Sequence, residues 1–150
     1  MSGPTRQKVK FIIRRNMGYK FESLDTNVLL RLILREDEDI YSKIKEYINE
    51  RPDRKFMIDD VAFSETIYVL ERLKKFDRKK VTLAIEPFLN GHPFVTNMRI
   101  DKILQFYVKH PKLSFNDCYL AFRAEEDGGV PLWTLDQKLA KQATAAKLIA

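Results

Sequence analysis

Apolar positions change their period repeatedly along the chain, and each change marks an element. Residues 20–24 alternate loosely and end at Asp25, as a first strand would. Val28, Leu29, Leu30, Leu32, Ile33 and Leu34 predict a helix buried on most sides. A second helix is expected over 37–49, with Ile40, Ile44, Tyr47 and Ile48 on one face. Acids from Glu36 to Asp39 crowd its start, where the helix dipole favours them. Pro52 and Asp53 mark a turn, and 55–58 reads as a second strand. A helix then runs from Asp59 or Asp60 to Phe76, carrying Val61, Phe63, Ile67, Val69, Leu70 and Leu73. Another covers 78–89 and stops at Asn90-Gly91-His92-Pro93, before a short extended piece at Phe94-Val95.

Beyond this point Ile100, Ile103, Leu104, Tyr107 and Val108 recur at helical spacing as far as Pro111. Ser114 opens a helix through Ala124, closed by Asp127-Gly128-Gly129. A third strand over 131–135, a short helix through Lys141 and a last strand over 147–149 complete the pattern. No internal repeat occurs. Strands alternating with helices imply an α/β fold whose mainly parallel sheet is covered on both faces.

The 150 residues suit one domain, and 45% hydrophobic with 32% charged residues is a globular composition. A chain of this size buries roughly 68–70% of its unfolded surface, enough for a core without staples. The single cysteine, Cys118, excludes an internal disulfide framework and a cysteine-based zinc site, which fits a reducing cytoplasm. No apolar run reaches the ~20 residues that span a bilayer. Phe11-Ile12-Ile13 is too short for the apolar core of a signal peptide.

The net charge of +6 changes meaning once it is located. Arg6, Lys8, Lys10, Arg14, Arg15 and Lys20 fall in the first twenty residues with no acid, leaving 21 basic against 21 acidic residues in the rest. The body therefore has no global attraction for phosphate. Residues 1–19 show no clean period and read as a basic, flexible arm ahead of a domain over 20–150. Arg14-Arg15-Asn16-Met17 adds the expectation that Met17 is the natural start. Two arginines are encodable as AGG-AGG, similar to a bacterial ribosome-binding site ahead of an AUG. An authentic basic arm is the alternative.

Candidate chemistry lies in four acids at strand ends or helix starts: Asp25, Glu65, Asp117 and Asp136. Sites in open α/β sheets form beyond the carboxyl ends of the strands, where all four can converge. Each also has a structural explanation. Asp25 and Asp136 are natural N-caps, Ser114 to Asp117 fits a capping box, and Glu65 suits a helix N-terminus.

The surroundings of the four acids resemble a known family. Leu24-Asp25-Thr26-Asn27-Val28-Leu29-Leu30-Arg31 is similar to the opening motif of PIN domains. Ser64-Glu65-Thr66-Ile67-Tyr68-Val69-Leu70 resembles the segment bearing that family's second acid. Phe115-Asn116-Asp117-Cys118-Tyr119-Leu120-Ala121 resembles the third, and Trp133-Thr134-Leu135-Asp136-Gln137-Lys138-Leu139-Ala140-Lys141 the fourth. Cys118, where alanine is common, and Asn116 depart from the pattern. The likeness covers residues 19–150 in the family's order and is closest to the VapC type of toxin ribonuclease. It implies a PIN-like three-layer sandwich and a divalent-metal-dependent endoribonuclease, the toxin of a type II toxin–antitoxin pair. It further implies RNA as substrate, a cognate antitoxin and a homodimer.

On that resemblance Asp25 and Asp117 are direct ligands of Mg²⁺ or Mn²⁺, and Glu65 holds metal or water. Asp136 ligates a second metal or supports from outside, while Asn27 and Thr134 orient the carboxylates. A carboxylate site suits such hard cations, and four packed carboxylates without one would repel. A PIN nuclease used in RNA processing without an antitoxin, and a silent PIN scaffold, are the alternatives. A haloacid-dehalogenase phosphatase is rejected, because Asn27 stands where its second aspartate is needed.

Other features weigh less. Arg72, Lys74, Lys75, Arg78, Lys79 and Lys80 read first as a solvated helix end, with RNA tracking as the alternative. His92 and His110 are expected on the surface and Trp133 in the core. Asp59-Asp60 and Glu125-Glu126-Asp127 read as helix-end acids.

Overall fold

Aspartates occupy the N-cap positions of the first four α-helices, and the strands between them pair in parallel. The computed structural model describes residues 18–97, 99–126 and 128–149. The expected arm and the Met17 start lie outside the described residues except at Gly18 and Tyr19. Two compact units divide the described chain, 18–97 and 99–149.

The first unit runs β1 (Lys20–Ser23), α1 (Thr26–Leu34), α2 (Glu38–Asn49), β2 (Arg54–Ile58) and α3 (Asp60–Tyr68). It continues through a π-helical turn (Val69–Leu73), α4 (Arg78–Ile85), a 3-10 turn (Glu86–Phe88) and β3 (Phe94–Thr96). The sheet order is β1-β2-β3, all parallel, in the register Ser23↔Met57 and Met57↔Val95. Its central strand is the most buried, with Phe56 and Ile58 enclosed. Glu22 of β1 pairs with Arg54 of β2 and accepts from the Tyr47 hydroxyl of α2, tying both elements to the sheet edge.

Asp37 accepts from the Ile40 N–H at 3.1 Å and Asp77 from the Lys80 N–H at 2.8 Å, so both close helix starts. Asp25 and Asp59 occupy the N-cap positions of α1 and α3 in matching extended backbone but make no capping bond. The helix expected to reach Phe76 ends earlier. Lys75 turns to φ 59, and the Phe76 N–H closes on the Leu70 carbonyl at 2.9 Å, capping the last turn. Likewise α4 stops at Ile85 and tightens into the 3-10 turn, because Pro87 has no N–H and crowds the preceding turn.

Leu29, Phe63, Ile67, Leu70, Val81 and Ile85 form this unit's core with Phe56 and Ile58. Truncating a side chain as enclosed as Phe63 to alanine costs about 3–5 kcal/mol. The expectation that α1 is buried on most sides needs correction: of its residues only Leu29 is fully enclosed. Leu32 and Ile33 instead line an open groove of about 430 Å³ with Tyr41, Phe88 and Phe94.

The second unit runs α5 (Ile100–Lys109), α6 (Phe115–Glu126), β4 (Leu132–Thr134), α7 (Gln137–Gln142) and β5 (Ala146–Leu148). Here β4 and β5 pair in parallel, Leu132↔Ala146 to Thr134↔Leu148. Parallel pairing thus holds throughout, distributed over one three-stranded and one two-stranded sheet. Ile103, Leu104, Tyr107, Phe115 and Cys118 are buried, and the Tyr107 and Phe115 rings meet edge to face at 5.8 Å. At the start of α5, Asp101 accepts two hydrogen bonds from Arg99, which hold its carboxyl below the usual carboxylate range. Gly128 and Gly129 adopt φ 91 and 74, letting the Val130 N–H reach back to the Ala124 carbonyl and close α6.

Trp133 is not in the core: it is 62% exposed. Strand alternation puts it on the face opposite Leu132 and Thr134, together with Leu135 and Lys147, which are also exposed. His92 is exposed, as expected, with Tyr19 beside it at 5.5 Å between rings. His110 is half-buried, stacked on Phe106 at 3.8 Å, with Nδ1 2.8 Å from that residue's carbonyl.

Candidate active site

Parallel strands deliver their carboxyl ends to one edge, and in the first unit that edge collects acids. Two residues beyond the paired positions Ser23 and Met57 stand Asp25 and Asp59. Their backbones match, at φ −74, ψ 154 and φ −71, ψ 155, so each strand passes into its helix through the same junction. Asp25 is exposed and its carboxylate serves no helix cap. The structural explanation available from sequence therefore does not account for it. Asp59 accepts from the Asn97 amide at 3.3 Å, which joins the carboxyl end of β2 to the segment following β3.

Glu65 sits one turn into α3 with an exposed side chain. The Thr26 hydroxyl donates to its Oε2 at 2.8 Å. Thr26 opens α1 directly after Asp25, so this bond brings the Asp25 and Glu65 segments together. Asn27, expected to orient the carboxylates, is exposed and its side chain makes no hydrogen bond among the described residues. The side chain that holds one of these carboxylates is that of Thr26. Its place in the Asp-Thr-Asn motif was a signal, but its partner 39 residues away was not readable from spacing.

In the second unit the two remaining acids are both engaged by backbone. The Asp117 N–H donates to the Ser114 hydroxyl at 3.1 Å, and Asp117 Oδ2 accepts from the Ser114 N–H at 3.3 Å, a reciprocal capping box. Asp136 Oδ1 accepts from the Lys138 and Leu139 N–H groups at 2.8 and 3.3 Å, capping α7. Thr134 accepts the Asp136 N–H at 2.9 Å, so it holds that residue's backbone rather than its carboxylate. Each of these aspartates has a second carboxylate oxygen with no hydrogen bond to these caps.

The available donors are carboxylate oxygens, the chemistry that Mg²⁺ and Mn²⁺ select. Among the described residues no group of three or more His, Cys, Asp or Glu is gathered closely enough to hold a metal ion. In the sequence Asp59 reads as a helix-end acid. The signal that separates it is its position at a strand end, in register with Asp25.

The PIN domain family matches residues 23–145. No curated protein and no solved structure matches the chain.

Proposed function

The chain belongs to the PIN-domain family, and from that premise we propose that it is a divalent-metal-dependent endoribonuclease, the toxin of a type II toxin–antitoxin pair. PIN domains are generally nucleases, commonly metal-dependent, and PIN nucleases bind RNA. The observation that carries the reading is the Thr26–Glu65 hydrogen bond beside an Asp25 carboxylate that no helix cap consumes. Asp25 is exposed and free of capping, and Glu65 is exposed and held by a hydroxyl from the residue after Asp25, so both carboxylates are open to a ligand.

The assignment gives Asp25 and Asp117 direct metal contact and Glu65 a metal or water contact. Asp136 contacts a second metal or supports from outside. Thr26 holds Glu65, and Thr134 holds the loop that presents Asp136. A bound Mg²⁺ or Mn²⁺ supplies an activated water and stabilises charge on the phosphodiester. Antitoxin binding and homodimer formation belong to the same proposal and follow the resemblance to VapC-type toxins.

Incubating a total-RNA pool with the protein, with and without Mg²⁺, and mapping the new ends tests it. Defined new ends that require metal and vanish in Asp25→Asn support the reading. Intact RNA with folded protein in Mg²⁺ and in Mn²⁺ overturns it. Neutralisation by the product of the adjacent gene tests the toxin role.

A further inference from the structure

Glu65, Tyr68 and Arg72 follow one another on the exposed side of α3 and its π-helical extension. With a rise of about 1.5 Å per residue in α3, Tyr68 lies about 4.5 Å along the axis from Glu65, and Arg72 follows within the π-helical turn. Tyr68 is 60% exposed and makes no hydrogen bond or ring contact among the described residues. Thr66, Ile67 and Leu70, on the opposite side of this helix, are fully enclosed, so the backbone holds the ring outward. The π turn adds a residue to the helix, and Leu73 faces solvent beyond Arg72.

The basic run that follows is sorted by its partners. Lys74 pairs with Glu36 at 2.7 Å and Arg78 with Glu71 at 3.2 Å, while the Lys80 ammonium lies 4.0 Å over the Phe76 ring. Arg72 has no ion pair among the described residues, although Glu71 is its neighbour in sequence. Lys75 and Lys79 are also unpaired there, but they lie past the helix end and in α4. Arg72 is thus the unpaired cation carried by the same helical segment as Glu65 and Tyr68.

We propose that Tyr68 is a stacking platform for an unpaired RNA base and that Arg72 contacts a phosphate of the same strand, which places single-stranded RNA along α3. The inference rests on the nuclease reading, since it makes Glu65 the acid next to the bound strand. A ring can stack only on a base whose face is free, so a single strand fits where a duplex does not. An apolar protein partner fits less well. It would bury Tyr68 with Val61 and Leu73, but it would also strip water from Glu65 and Arg72. An RNA strand offers a π-face to the ring and a phosphate to the guanidinium.

A short single-stranded RNA containing 2-aminopurine, titrated with the full chain without divalent metal, tests binding apart from cleavage. Tyr68→Ala should weaken binding roughly 5- to 150-fold and abolish the stacking quench of 2-aminopurine, while Tyr68→Trp retains both. Arg72→Ala should weaken binding and lower the salt slope by about 0.7. Melting temperature should stay at the wild-type value in Tyr68→Ala, because the ring is exposed. Wild-type affinity and quench in folded Tyr68→Ala overturn the inference. So does a change of oligomeric state in that variant by sedimentation, which would make the stripe a protein interface. Cleavage in Mg²⁺ is read separately: a wild type that quenches but never cleaves removes the nuclease reading, whereas cleavage with an unaffected Tyr68→Ala removes this inference alone.

Discussion

The Thr26 hydroxyl donates to Glu65 Oε2 at 2.8 Å, linking the first residue of α1 to an acid one turn into α3. Both side chains are accessible to water, and a bond in that setting contributes about 1 kcal/mol at most to stability. Its effect is on position: it holds one oxygen of Glu65 on the Thr26 hydroxyl.

That contact predicts a coupling. Thr26→Val should reduce metal-dependent cleavage while shifting stability by less than about 1 kcal/mol. In a Glu65→Gln background the same change should have little further effect on turnover. A double-mutant cycle on cleavage rate measures this, and fully additive losses would show that Thr26 does not act through Glu65.

Asp25 and Asp136 should separate by stability. Asp25→Asn is expected to abolish cleavage with an unchanged circular dichroism spectrum and melting temperature, since its carboxylate caps nothing. Asp136→Ala should lose activity and also about 1 kcal/mol of stability, because Oδ1 accepts two N–H groups at the start of α7. Urea titration of both variants checks the contrast. Equal destabilisation would contradict the assignment of a cap to Asp136 alone.

Metal should stabilise the native state if the acids hold it. At ten times its Kd, Mg²⁺ or Mn²⁺ contributes about 1.4 kcal/mol, or roughly 3–6 °C in Tm for a chain of this size. The combined Asp25→Asn, Asp117→Asn variant should lose the shift. The same shift in both proteins would locate the ion elsewhere.

Deleting residues 1–16 removes Arg6, Lys8, Lys10, Arg14 and Arg15 and no acid. Metal-dependent cleavage should persist at saturating RNA, while binding weakens and its salt dependence flattens. Loss of turnover in a folded, RNA-saturated truncation would place part of the active site in that segment.

Element order and the four acid motifs were legible without coordinates because both are local properties. Apolar spacing sets which face of a helix can be buried, and Asp37, Asp77 and Ser114 announce helix starts through bonds to residues three positions away. The Asp136 cap belongs to the same class, as does the closure of α6 at Gly128-Gly129. What spacing could not decide is how each group is used, because that depends on partners brought in from far along the chain. Asp25 and Asp136 look alike as caps in sequence, yet only Asp136 caps. Glu65 finds Thr26, and Lys74 finds Glu36, each across nearly forty residues, and such pairings divide a basic run that is uniform in sequence. Trp133 reads as core in the sequence because it lies within the third strand. The pairing of β4 with β5, and the alternation it imposes, place that ring with the exposed Lys147 on the face opposite Leu132 and Thr134, where it is 62% exposed.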